Sequence, residues 1–160
     1  MRVITRTELK TGHSGVGILP QTEDGKFVLI RQFRHAPRTW ILTIPMGMHE
    51  EGLILEESAA KELQEETGAQ IVGKLQSLGN IVPDQGYLKE KDVLFHAIVK
   101  LQGKATEETE GLDGIELLTR LQLRSAVKTG YYIDQNGKEF YTTDSYLQIA
   151  VLRAHLLGYI

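Results

Sequence analysis

The 160-residue chain contains no cysteine. That absence excludes disulfides, thiolate nucleophiles and cysteine-based zinc sites, and it agrees with a reducing compartment, so a cytoplasmic location is expected. Long basic runs are also missing, and the net charge is −3. A nucleic-acid backbone is therefore not expected as the main partner, and an anionic nucleotide would need local Arg or Lys groups or a metal. No stretch is apolar and long enough to span a bilayer. The most apolar tract, residues 146–160, carries Gln148, Arg153 and His155, and a span needs about 20 apolar residues. No N-terminal signal pattern is present, so no membrane association is expected. The histidines at 13, 35, 49, 96 and 155 show neither H-x-x-x-H nor H-x-H spacing, and no serine sits in a nucleophile-elbow context. These gaps argue against a zinc hydrolase and a serine hydrolase.

What is present is concentrated in residues 45–69, PMGMHEEGLILEESAAKELQEETGA. The second half has the spacing of an amphipathic helix that stops at Gly68. At 3.6 residues per turn Ala59, Ala60, Leu63 and Thr67 fall on one side, and Glu62, Glu65 and Glu66 fall together beside them. Carboxylates held so close repel, each pair by on the order of 3 kcal/mol at ~5 Å and an effective dielectric near 20. Such a cluster suits a hard divalent cation that takes oxygen ligands. Magnesium is the expected ion, with manganese as the alternative. Gly47 and Gly52 lie in the turn-rich stretch upstream, where backbone carbonyls could also reach the ion.

The spacing of Gly47, Glu62, Leu63, Glu65, Glu66 and Gly68 closely resembles the G-x5-E-x7-R-E-U-x-E-E-x-G-U pattern (U aliphatic) of the Nudix hydrolases. Two fixed positions depart from it. Leu53 stands where the first Glu belongs, and Lys61 replaces the Arg, which keeps the charge but loses the planar fork. The resemblance implies an α/β fold, a Nudix-like α/β/α sandwich with a mixed sheet, over residues 14–157. It also implies that Glu62, Glu65 and Glu66 bind the catalytic metals, joined by the backbone of Met46, and that Lys61 takes the orienting role.

The rest of the chain reads in order as strands around this helix. Residues 1–13 form an N-terminal arm or edge strand of a single 1–160 domain, the size of one domain. Strands are expected over 16–19 and 26–33, joined by Asp24-Gly25, a hairpin signal. The second ends Arg31-Gln32-Phe33-Arg34. Exposed arginines at a sheet margin and a phosphate grip are both open readings of that segment. It is similar to the R-Q-[YF]-R segment of the ADP-ribose pyrophosphatase branch of the family, which implies that Arg34 lies at the substrate. Residues 40–45 read as a short strand, 70–82 as one strand, and 82–87 as a loop whose Tyr87 could stack on a base or simply pack. Residues 92–101 read as a buried strand in which His96 is a core histidine. Residues 102–114 form an acidic loop. Strand 115–118 and helix 121–128 follow, then a hairpin at Asn136-Gly137 and a helix over 146–157 capped from 142–145.

The expected function is metal-assisted hydrolysis of the diphosphate bond in a nucleoside diphosphate linked to another moiety, ADP-ribose or a related nucleotide sugar. The alternatives are a nucleoside triphosphate pyrophosphohydrolase and a low-turnover nucleotide-binding module. Three glutamates committed to cations lose basicity, so the proton acceptor is sought in the acidic loop, at Glu110 or Asp113. A homodimer is left open.

Overall fold

The computed structural model describes residues 12–86, 91–103 and 111–160. Tyr87, Glu110 and most of the N-terminal arm fall outside the described residues. The elements run β1 (Gly15–Thr22), β2 (Phe27–Arg34), β3 (Thr39–Thr43), β4 (Met46–Met48), α1 (Leu55–Thr67), β5 (Ala69–Ile71) and β6 (Gln76–Ile81). They continue with β7 (Asp92–Leu101), β8 (Leu112–Leu118), α2 (Arg120–Thr129), β9 (Tyr131–Ile133), β10 (Glu139–Tyr141) and α3 (Ser145–Leu156).

The ten described strands join into one mixed sheet whose main path is β5-β7-β1-β2-β3-β10-β9. β1 lies parallel to β7 and β10 parallel to β3, while the remaining pairs are antiparallel. Side-chain alternation along β2 explains the layers. Phe27 and Leu29 face a core shared with Leu123 of α2 and Leu147 of α3, while Val28 faces the core under Ala59 and Leu63 of α1. A sheet apolar on both faces needs helices on both, and the expected α/β/α sandwich results.

Both predicted hairpins form. Gly25 and Gly137 adopt φ of 86° and 80°, which their turns require. The expectation of a single strand over 70–82 is corrected. Gly73 turns the chain at φ 89°, and β5 and β6 each pair separately with β7. Residues 46–48, read as loop, form the short β4 on β1. The acidic loop ends earlier than expected, because β8 begins at Leu112 and takes Asp113 into the sheet.

Candidate active site

α1 carries the acidic face. Its N-cap, Ile54, has no polar side chain, and the Glu57 carboxylate instead accepts the Ile54 N–H at 3.0 Å. Gly68 ends the helix in the left-handed region at φ 69°, its N–H bonded to the Gln64 carbonyl. The buried face keeps Ala59, Leu63 and Thr67 of the predicted one, loses Ala60 and gains Ser58 and Glu66. Ala60 is only half-buried, and Glu66, at 5% exposure, is inside. A carboxylate can sit there because it accepts the Met46 N–H at 3.0 Å, a charge-assisted bond.

β4 and α1 meet closely. A Cβ on Gly47 would lie 2.1 Å from the Glu62 carboxyl carbon, so any other residue would make that carboxylate move from its place. Glu65 is half-buried, and the Lys61 ammonium lies 3.4 Å from it while also pairing with Glu50. Glu50 is the first cause of the upward shift of the Lys61 pKa. Two carboxylates thus lean on β4 and the third towards Lys61. Among the described residues no three His, Asp or Glu side chains converge on one point in this arrangement. The donor set nevertheless fits a hard cation, being all oxygen, and the Gly47 cradle keeps Glu62 against the backbone of β4.

Beside β4 opens a cavity of about 1060 Å³, lined by Arg34, Ile41, Met46, Tyr141, Asp144 and Tyr146 and by the 35–39 turn. The two arginines of β2 part company here. Arg31 is 3.4 Å from Glu116 of β8, a structural pair. Arg34 forms no salt bridge among the described residues, and its Nη2 sits 3.9 Å from Met46 Sδ. Asp144 caps α3, its Oδ1 accepting the Leu147 N–H at 3.0 Å. Oδ2 is buried without a hydrogen bond, as is the nearby Thr43 hydroxyl. Burial holds the Asp144 carboxyl above its ordinary pKa, against the opposing effects of the Leu147 N–H, Thr43, the Tyr146 N–H and Arg34. Tyr146 donates to Asp92, which is buried below the cavity.

Sequence reasoning missed Asp144, Tyr146, Tyr141 and Glu50. Asp144 was legible only as a helix cap, and nothing in a linear reading shows which oxygen a cap leaves over. Asp113 is not gathered with Glu62, Glu65 and Glu66, the acidic residues of the family pattern (its box). It is exposed and lies 3.2 Å from Lys138, whose ammonium stands 3.4 Å over the Trp40 ring. β8 does start beside the cavity, with the Gly111 carbonyl accepting the Phe33 N–H at 2.7 Å, one residue from Arg34. His96 is the expected core histidine, 3.3 Å from Gln21 Oε1 and stacked on Tyr159.

Comparison with known proteins bears on this arrangement. The profile of the NUDIX domain family matches residues 11–139. An ADP-ribose pyrophosphatase of Bacillus subtilis (strain 168) is 28% identical over 119 residues, which is 74% of this chain and 62% of that protein. This chain therefore spans less than two thirds of that relative's length. A crystal structure described as an ADP compounds hydrolase superposes with a TM-score of 0.69 at 20% identity, covering 91% of this chain and 73% of the other. At that identity the likeness concerns the fold alone.

Proposed function

The chain belongs to the NUDIX domain family, and from that premise we propose that it is a metal-dependent hydrolase of nucleoside diphosphates linked to another moiety, with ADP-ribose or a related nucleotide sugar as substrate. The observation that carries this reading is the position of Met46. Its N–H holds Glu66 of the acidic helix, and its side chain lines the cavity next to Arg34. The acidic face and the cavity therefore meet at one residue, beside which a cation on the glutamates would reach a diphosphate held by Arg34.

A divalent cation, when bound, supplies positive charge to the diphosphate oxygens and makes water a better nucleophile. Glu62, Glu65 and Glu66 would hold it, with the Met46 backbone beside them. Gathering Glu65 with the others asks only that a half-buried side chain turn from Lys61. Magnesium suits this set, with manganese as an alternative, because both take carboxylate oxygens. Arg34 grips a phosphate oxygen, a charged hydrogen bond worth ~1.5–3 kcal/mol. The aromatic faces of Tyr141 and Tyr146 accept the rest of the nucleotide. The proton acceptor is assigned to the acidic segment that enters β8 beside Phe33, with Glu110 and Asp113 as its candidates. Asp113 must leave Lys138 to serve, whereas Glu110 lies outside the described residues.

The test is a panel of ADP-ribose, nucleotide sugars and nucleoside triphosphates with magnesium, read by the phosphomonoesters or pyrophosphate released. AMP together with a sugar phosphate is the expected product pair. Pyrophosphate from triphosphates alone would replace the substrate class, and binding without cleavage would leave a nucleotide-binding module.

A further inference from the structure

Leu53 and Lys61, the two residues that depart from the family pattern, lie in the short loop after β4 and in α1, and the fold ties that loop down firmly. His49 is buried, its N–H donating to the Ser14 carbonyl at 3.1 Å and its Nδ1 lying 2.9 Å from Ser58 Oγ. The same hydroxyl accepts the Glu50 N–H at 3.3 Å, and the Glu50 carbonyl accepts the Leu53 N–H at 3.3 Å. Ser58 is itself buried in the first half of α1. This double anchorage fixes where Glu50 leaves the loop, and its carboxylate pairs with Lys61 more closely than Glu65 does. Leu53 has no charge to offer.

Lysine offers three rotatable donors on one point charge, and here the Lys61 ammonium is shared between Glu50 and, at 3.4 Å, Glu65. Left without a second acceptor, an ammonium at i would settle on the carboxylate at i+4, here Glu65. A cation seeking Glu65 would then have to displace it.

We propose that Glu50 is a positioning residue: it shares the Lys61 ammonium that Glu65 would otherwise hold alone, loosens that pair so that a divalent cation can take the Glu65 carboxylate, and so supplies from position 50 the charge that Leu53 lacks. The reason for the loop's buried His49–Ser58 anchor is then positional, since a freely moving Glu50 would not keep its share of the ammonium. On this account Lys61 and Glu50 are a matched pair and the box is intact in function, although two of its fixed positions have changed.

The inference rests on the cation assigned under the hydrolase reading, yet its readout needs no substrate. Magnesium is titrated by calorimetry into the full chain, into Glu50→Gln, Lys61→Gln and the double variant, and into Glu51→Gln as a control for net charge. Glu50→Gln keeps the backbone bond to Ser58, so the fold should hold, and a thermal melt checks it. Loss of a side chain that orients a ligand typically costs 10–100-fold, so magnesium should bind Glu50→Gln about tenfold more weakly. Glu51→Gln should stay near wild type. Adding Lys61→Gln should recover most of the tenfold loss in the Glu50→Gln background. Additive effects, or equal behaviour of Glu50→Gln and Glu51→Gln, would overturn the proposal, as would a wild-type chain that takes up no magnesium. Coupled binding in a chain that cleaves no diphosphate would overturn the hydrolase reading alone.

Discussion

Arg31 and Arg34 leave the same strand three residues apart and meet different partners. Arg31 is taken by Glu116, whereas Arg34 faces the cavity near the Met46 thioether and within electrostatic reach of Asp144. Removing Arg34 should therefore affect ligand and little else. Arg34→Ala is expected to weaken substrate binding by roughly 10- to 150-fold, the equivalent of ~1.5–3 kcal/mol, with the magnesium-induced rise in melting temperature unchanged. Steady-state kinetics and a thermal melt of the folded variant check both halves. Asp144 gives a second prediction at this scale. Its carboxyl is raised by burial, so the charged form is the one the folded state penalises. Asparagine keeps the cap acceptor and removes the charge, and Asn caps as well as Asp. Asp144→Asn should thus be more stable than wild type at neutral pH. The gain should shrink as pH falls through the raised pKa, because wild type then becomes neutral as well. Chemical denaturation at several pH values measures this. The roles of these residues were unequally visible in the sequence. Spacing puts Glu62, Glu65 and Glu66 together on one helix and Arg34 at the end of one strand, whereas the role of Arg34 is implied only by the family resemblance. Glu50 and Tyr146 meet Lys61 and Asp92 across 11 and 54 positions, and Asp144 meets Thr43 and Arg34 across more, and no periodicity encodes those contacts.

At the scale of elements, the contact of α1 with β4 is the tightest constraint on the site. Gly47 is not in the left-handed region, so its identity is a matter of space rather than backbone freedom. The Glu62 carboxylate occupies the volume a Cβ would take. Gly47→Ala should push Glu62 out, lowering turnover by roughly 10–100-fold, the range typical when a ligand's support is lost, while circular dichroism shows the fold retained. β7 supplies another test. Burial lowers the His96 pKa below its ordinary value of ~6.5. The unfolded chain therefore binds a proton that the native chain resists, so stability is full above about pH 6.5 and falls as pH drops towards the lowered pKa. His96→Gln should flatten that part of the stability–pH curve, and an unchanged slope would assign the acid sensitivity elsewhere. The helices and hairpins were legible because each carries its own punctuation. Gly68 and Gly130 end α1 and α2 in the left-handed region, and Asp144 caps α3. Residues 70–82 were misread because loose alternation continues through Gly73, and only the positive φ there separates β5 from β6. β4 escaped notice because three residues carry no period.

For the whole molecule, the sandwich sorts its two helical faces by task. α1 alone bears the acidic box on one side. α2 and α3 close the other side, and between them lies a second cavity of about 650 Å³, lined by residues such as Leu123, Ile149 and Leu152. Neither cavity is lined by Glu62, Glu65 or Glu66, but the Arg34 cavity includes Met46, whose N–H holds Glu66, and that is why the proposed reaction is placed there, at the edge where β4, β2 and the start of α3 meet. No helix among the described residues is long and apolar enough to cross a membrane. The central claim is that the buried carboxylate on Met46 joins metal to substrate, and Glu66→Gln tests it most directly. The amide can still accept the Met46 N–H, so the fold and the cavity should persist while the charge is lost. Cleavage of ADP-ribose by wild type and Glu66→Gln is measured at saturating magnesium. The account predicts AMP and a sugar phosphate from wild type. In the variant, the loss of charge stabilisation at the reacting phosphate, for which a single lost donor costs ~10²–10³ in other sites, should lower turnover by about that factor. Equal turnover in the two proteins, with magnesium required by both, would contradict it.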